Sequence, residues 1–260
     1  MAFHQNKFIT YFTSPLLEAY GIKHGFFTRH GGCSPYPWQG MNLATSVGDS
    51  RENVIDNRLR IFSCLGINPK EVFDVWQIHS RTIIVTERSR SLKEPHQKAD
   101  GIITAKKNIS LLMLFADCVP ILFYDSGNKV IGIAHAGWQG TIKKIVVEML
   151  EKLRMNFNSN PEKIICAIGP SICKDHYEIG AEVSEQVRKN LDFHEKVLTK
   201  KKGKIFLDLS LANEILLHQN GVNNVQSINI CTAEHQEDWF SHRAEKGQAG
   251  RFGAVISMQN

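Results

Sequence analysis

Residues 109–140 read ISLLMLFADCVPILFYDSGNKVIGIAHAGWQG. Ile109–Phe115 and Ile121–Tyr124 are strongly apolar and of strand length. Asp125-Ser-Gly-Asn128 supplies a turn, after which Lys129–Ala134 reads as a further strand. Between the first two strands stands Cys118, and just past the third stands His135. Pro120 cannot donate to a central ladder, so a break is expected there, and a break at a strand end lets the Cys118 side chain point into a crevice. Asp117 puts a charge at the edge of an apolar element, which demands a partner or a cavity. After His135 come Ala136-Gly137-Trp138-Gln139-Gly140. Small residues there allow a ligand to approach the backbone and the N-terminus of a following helix, where an anion is favoured.

Working outward, a second histidine, His79, follows an apolar strand in VWQIHS. Thiolate and neutral imidazole are the commonest zinc ligands, and they also form the commonest nucleophile–base pair that does not use serine. A Cys/His/His set would leave a fourth zinc position open to water, the catalytic rather than the structural pattern, and would make that water a nucleophile near neutral pH. The alternative is bland: a small buried cysteine and two satisfied structural histidines. No close pair such as HExxH or CxxC decides between the two.

The rest of the chain alternates strands and helices. Asp49 and Glu52 form a capping-box pattern ahead of an apolar stripe, Ile55, Leu59, Phe62 and Leu65, that Gly66 ends. Strands are expected at 72–77, 82–86, 101–104, 164–168, 205–207, 225–230 and 254–258, and helices at 141–154, 182–190 and 209–219, the last capped by Asp208. Residues 25–43, rich in Gly and Pro, read as an ordered loop after a short strand, and residues 89–99 as a polar loop. Some strands lie on hairpins and others follow helices, so the sheets should be mixed. With no repeat and no low-complexity linker, residues 1–260 are expected to form a single domain.

The net charge of +5 comes largely from lysines at Lys106, Lys107, Lys201, Lys202 and Lys204, without the interleaved aromatics of a nucleic-acid groove, so no nucleic acid is expected. Six scattered cysteines in 260 residues suggest reduced thiols, not a disulfide framework. The N-terminus lacks a signal-peptide core, and the most apolar stretch, 109–124, is too short to span a bilayer. A soluble, cytoplasmic protein without a membrane partner is the expectation.

ADCVP, AHAGWQG, WQIHS, HGFFTRHGG and AIGPSI, with KADGIIT, DHYEIG, FLDLSLAN, CTAEH and FSHRAE, resemble the YfiH family from Gly25 to Arg251. Its members are also called laccase-domain proteins, polyphenol oxidases or purine nucleoside phosphorylases. The resemblance implies a four-layer α/β/β/α sandwich of mixed sheets flanked by helices, similar to cysteine hydrolases and deamidating toxins. It implies that His79, Cys118 and His135 form one metal and catalytic site, with zinc expected ahead of copper. It also implies small-molecule partners, a nucleoside and phosphate: Arg58 and the backbone N–H groups from Gly137 to Gly140 are the candidates to hold phosphate, Asp117 to orient a ligand or act as acid/base, and Arg29, Asn42 and Arg243 to line the pocket. At Arg29, Asn42 and Arg243 the competing role is a loop-fixing hydrogen bond, and at Asp117 a surface carboxylate. Two positions depart from the family pattern. Ser80 replaces Gly and is expected to change loop freedom, while Gln139 replaces Arg and removes a cation near the anion-binding turn.

The activity that the resemblance implies is phosphorolysis of adenosine, inosine, guanosine and methylthioadenosine, together with adenosine deamination. A Cys118-dependent amidase editing a misincorporated amino acid in a UDP-MurNAc peptidoglycan precursor is the second reading. Copper polyphenol oxidation is the third, disfavoured because none of the 11 histidines lies two residues from another, as HxH copper pairs require. A purely binding role is the fourth.

Overall fold

Two six-stranded sheets lie face to face because their central strands are apolar on both sides. The structure is a computed structural model that describes residues 2–6 and 8–259. In the first sheet the order is β1 (Ala2–Asn6), β2 (Ile9–Thr13), β3 (Lys23–Phe27), β15 (Phe252–Ser257), β7 (Ser110–Phe115) and β4 (Val72–Asp74). In the second it is β14 (Asn224–Ser227), β10 (Ile164–Ile168), β8 (Val119–Asp125), β9 (Val130–Ala136), β6 (Gly101–Thr104) and β5 (Ile83–Val85). A small third sheet joins β11 (Glu178–Ile179), β13 (Lys204–Leu207) and β12 (Leu198–Lys201). Both large sheets are mixed: β4 runs parallel to β7 and β10 parallel to β14, while β8 and β9 form an antiparallel hairpin.

The period-two alternation of strand side chains assigns each residue to a layer. Leu111, Met113 and Phe115 of β7 meet Leu122 and Tyr124 of β8 and Ile131 and Ile133 of β9 between the sheets. Leu112 and Val255 face the other way, onto Ile61, Phe62 and Leu65 of α2 (Arg51–Leu65). On the far side of the second sheet, Ile121 and Phe123 pack under α4 (Ile145–Phe157) and α7 (Leu209–Gln219). The result is the expected α/β/β/α layering. Among the described residues no helix is long and apolar enough to cross a membrane.

Several expectations need correction. The cap of α2 is Ser50, whose side chain accepts from Asn53 N–H, while Asp49 instead accepts from Ser34, Asn42, Asn53 and the Ser50 N–H. Ile55 and Leu59 are exposed, and the buried face carries Val54, Asn57, Ile61, Phe62 and Leu65. The strand expected at 72–77 stops at Asp74, that at 82–86 shrinks to 83–85, and that at 225–230 runs 224–227. The helix expected at 141–154 is two helices, α3 (Trp138–Ile142) and α4, separated at Lys144 with φ of 59°. Pro120 does not break its strand but lies second in β8. It is tolerated because β10 ends opposite, where Gly169 N–H donates to Pro120 O at 2.8 Å and no return bond is needed.

One feature of this topology builds the site. The chain leaves the first sheet at Phe115 and joins the second at Val119, crossing between them in Ala116-Asp117-Cys118. Asp117 takes φ of 82°, a conformation acidic residues tolerate better than most.

Candidate metal centre and its cleft

Cys118 ends the crossing between sheets, and His135 occupies the penultimate position of β9, directly opposite Pro120. His79 lies on the connection from β4 to β5 with φ of 58°. Their ligand atoms all lie within 4.8 Å of one another. Cys118 Sγ is 3.9 Å from His79 Nε2, and the two imidazoles meet edge to face with centroids 4.9 Å apart. The sequence's three separated side chains therefore converge.

A buried carboxylate absent from the expected set aims two of them. Asp100, fully buried just ahead of β6, accepts from His135 Nδ1 at 2.9 Å, from the N–H groups of Ile78, His79 and Ser80, and from Ser80 Oγ at 2.7 Å. Holding the Nδ1 proton of His135 leaves its Nε2 to face Cys118, the arrangement that ligating histidines share. Ser80 is thus more than a change in loop freedom: its hydroxyl braces the same carboxylate. Gly137 is required by space, since a Cβ there would stand 2.9 Å from Cys118 Sγ and 3.1 Å from His79 Cδ2.

Charge follows geometry. Burial alone would push the Cys118 thiol up, but the His135 charge and the hydrogen bonds from both histidines outweigh it and bring it down to about 6. Burial would likewise pull His135 down; the Cys118 charge and the Asp100 hydrogen bond reverse this and raise it to about 9. The two opposite shifts favour a thiolate beside an imidazolium when no metal is bound. One sulfur and two imidazole nitrogens, one already oriented by a carboxylate, form a donor set that fits zinc and leaves a side open to the cleft.

That cleft has a volume of about 500 Å³, with His79, Cys118 and His135 in its lining. Arg58, Asp117 and Arg243 also line it, as do Tyr177, Trp138 and Arg251. Arg58 is held by Leu43 O and by Asp74 at 2.9 Å. Asp74 in turn takes Arg90 and His96; burial would raise its carboxyl, but the His96 hydrogen bond and the two guanidinium charges hold it well below the usual range. Arg243 extends over the Tyr177 ring at 5.1 Å and donates to Glu178 O.

The remaining candidates have structural partners. Asp117 is buried, not a surface carboxylate, and takes Thr232 Oγ1 at 2.7 Å, Ser241 Oγ at 2.6 Å and Arg243 N–H at 2.7 Å. Asn42 is fully buried and ties Ala44, Asp49 and Arg251 N–H together. Arg29 bonds Gln236 O and Glu245 and lies 4.3 Å over Phe240. Arg29 and Asn42 are outside the cleft lining, and the contacts they make fix loops. Gln139 is half-buried and also outside the lining.

Residues 23–259 match the family model described as multi-copper polyphenol oxidoreductase laccase. The chain belongs to this laccase-domain family. It is 35% identical over 246 residues to a purine nucleoside phosphorylase of Deinococcus radiodurans, covering 94% of this chain and 93% of that protein. It is 34% identical over 246 residues to the purine nucleoside phosphorylase YlmD of Bacillus subtilis, covering 90% and 88%. Among solved laccase-domain structures it is similar to YlmD of Geobacillus stearothermophilus, with a TM-score of 0.92 at 29% identity over 99% of both chains. YfiH of Bacillus licheniformis gives 0.91, also at 29% identity and 99% of each chain. The YfiH-like sandwich expected from the sequence is therefore the fold observed.

Proposed function

We propose that this protein is a zinc-dependent purine nucleoside enzyme. It cleaves adenosine, inosine, guanosine and methylthioadenosine by phosphorolysis and also deaminates adenosine. The observation that carries the reading is the convergence of His79, Cys118 and His135 in a cleft that also presents Arg58, Arg243 and Arg251. Relatives named purine nucleoside phosphorylase, matched over about nine-tenths of their length, support the substrate class. Held by the three ligands, zinc would supply Lewis acidity inside the cleft.

The chain's own residues do the positioning. Guanidinium groups suit a phosphate dianion, and Arg58 is pre-set by Asp74 and Leu43 O. The Tyr177 and Trp138 rings give a purine flat apolar surfaces. In phosphorolysis a phosphate oxygen bonds to C1′ as the bond from C1′ to the purine nitrogen breaks. The purine leaves with the electron pair and takes up a proton. Holding the two reactants together is the main contribution asked of the cleft.

The test is mass spectrometry of nucleosides incubated with purified, metal-analysed protein, with and without phosphate. Free purine and ribose 1-phosphate should appear only with phosphate, and inosine should form from adenosine in its absence. Purine release that ignores phosphate would sink the phosphorylase reading. One observation favours a second reading: Asp100, His135 and Cys118 are ordered like a carboxylate–imidazole–thiol triad, with Asp100 2.9 Å from His135 Nδ1. An amidase acting on a UDP-MurNAc peptide would use it, and trapping an acyl adduct on Cys118 in metal-free protein would favour that reading.

A further inference from the structure

A second group of metal-type donors stands apart from the three ligands above. Cys173, His176, Cys231 and Glu234 each offer one atom, and these lie within 4.8 Å of one another. His176 Nδ1 is 3.3 Å from Cys173 Sγ and 3.5 Å from Cys231 Sγ. A tetrahedral zinc ion with ordinary Zn–S and Zn–N bonds needs an N···S edge of about 3.5 Å. Both N···S distances already match such an edge.

The backbone prepares this arrangement. The donors come in two pairs of equal spacing, Cys173-Lys-Asp-His176 and Cys231-Thr-Ala-Glu234. Each pair sits on a hydrogen-bonded turn: His176 and Tyr177 N–H donate to Cys173 O, and His235 N–H donates to Cys231 O at 3.0 Å. A parallel bridge between Ser171 and Cys231 locks the turns side by side, with Ser171 N–H on Ile230 O and Thr232 N–H on Ser171 O. Cys173 N–H also donates to Cys231 Sγ at 3.3 Å, the kind of contact that tunes a ligating sulfur. Cys231 is buried, Cys173 half-buried, and His176 and Glu234 exposed, so an ion has a way in from solvent. Both cysteines are free thiols.

We propose that Cys173, His176, Cys231 and Glu234 bind a second, zinc-class divalent ion in a closed four-ligand site. Two thiolates, one imidazole and one carboxylate complete a tetrahedron and leave no position for substrate, so this ion is structural. It ties the turn that carries Tyr177 to the segment whose Thr232 holds Asp117, and thereby fixes one wall of the cleft.

The test loads the Cys118→Ala protein, which disables the first site, with zinc or cobalt(II). One tightly held ion per chain is expected, with the cobalt form showing thiolate charge-transfer absorption. Cys173→Ser and His176→Ala, both at positions with solvent access, should each remove that ion in the same background. His176→Cys should retain it. In the otherwise natural chain, Cys173→Ser should lower bound zinc by one equivalent and lower the melting temperature only when zinc is present. The proposal is overturned if the Cys118→Ala protein holds no ion. It is equally overturned if Cys173→Ser leaves metal content unchanged, or if Cys173 and Cys231 are found joined as a disulfide in zinc-loaded protein kept under reducing conditions.

Discussion

Asp100 and Asp117 are both buried carboxylates beside the same cleft, and their partners give them opposite jobs. Asp100 spends its oxygens on the His135 imidazole and on the loop that carries His79. Asp117 spends its oxygens on two hydroxyls and a backbone N–H of the segment 232–243, and none on His79, Cys118 or His135. Residue type and burial therefore do not distinguish a group that aims chemistry from one that closes a loop. The identity of the donor does.

The largest expected effect concerns the sulfur that stands between the two imidazoles. Cys118→Ala should lower phosphorolysis by roughly 10²–10⁴-fold, the range for loss of a group acting directly at the reacting centre, measured as kcat/KM with chain integrity checked by circular dichroism. Next, Asp117→Ala should destabilise the protein by about 1–3 kcal/mol for each orphaned buried donor, seen as a lower denaturation midpoint, while the folded fraction keeps its zinc affinity. Asp100→Asn should do the reverse, weakening zinc by about 10–100-fold with a smaller loss of stability. If Asp100→Asn unfolded the chain and left zinc affinity intact, the contrast between the two carboxylates would be wrong.

Two smaller effects sharpen the picture. After chelation, alkylation of Cys118 should gain rate as pH rises through about 6, since the thiolate forms above its lowered pKa, and bound zinc should suppress it. A rise centred near an ordinary cysteine value would remove the charged pair. Asp74 supplies a control away from the ligands. Its folded pKa is depressed, so its stabilisation is fully present above its ordinary value of 3.8 and is lost as pH falls below it. Asp74→Asn should flatten stability against pH in that acid range and leave the neutral range with a constant offset; an unchanged acid limb would refute the pairing.

Much of this was legible in the sequence. The central strands announce themselves because both of their faces are covered, and the capped helix at 209–219 follows from Asp208, which accepts from Leu211 N–H at 3.0 Å. The convergence of His79, Cys118 and His135 was not legible from spacing, because it brings a loop between β4 and β5, the crossing between the sheets and the end of β9 to one place. The strands β1 and β2 were missed since an edge pair such as AFHQN is half polar. The face of α2 was misread because a buried polar residue, Asn57, takes a core position and bonds Ser34 Oγ, Gly40 O and Asn42 O. Asp100 left one unused sign: a carboxylate between Ala99 and Gly101 at the head of a fully buried strand has to find partners.

The crossing at Ala116–Cys118 couples the sulfur mechanically to both halves of the sandwich. Sliding one sheet along the other would drag the thiolate off the imidazoles, so an ion gripped there acts as a rivet across the layers. Such a fastener should stabilise the whole chain against unfolding, and a chelator should lower its melting temperature, by an amount set by ion affinity and concentration.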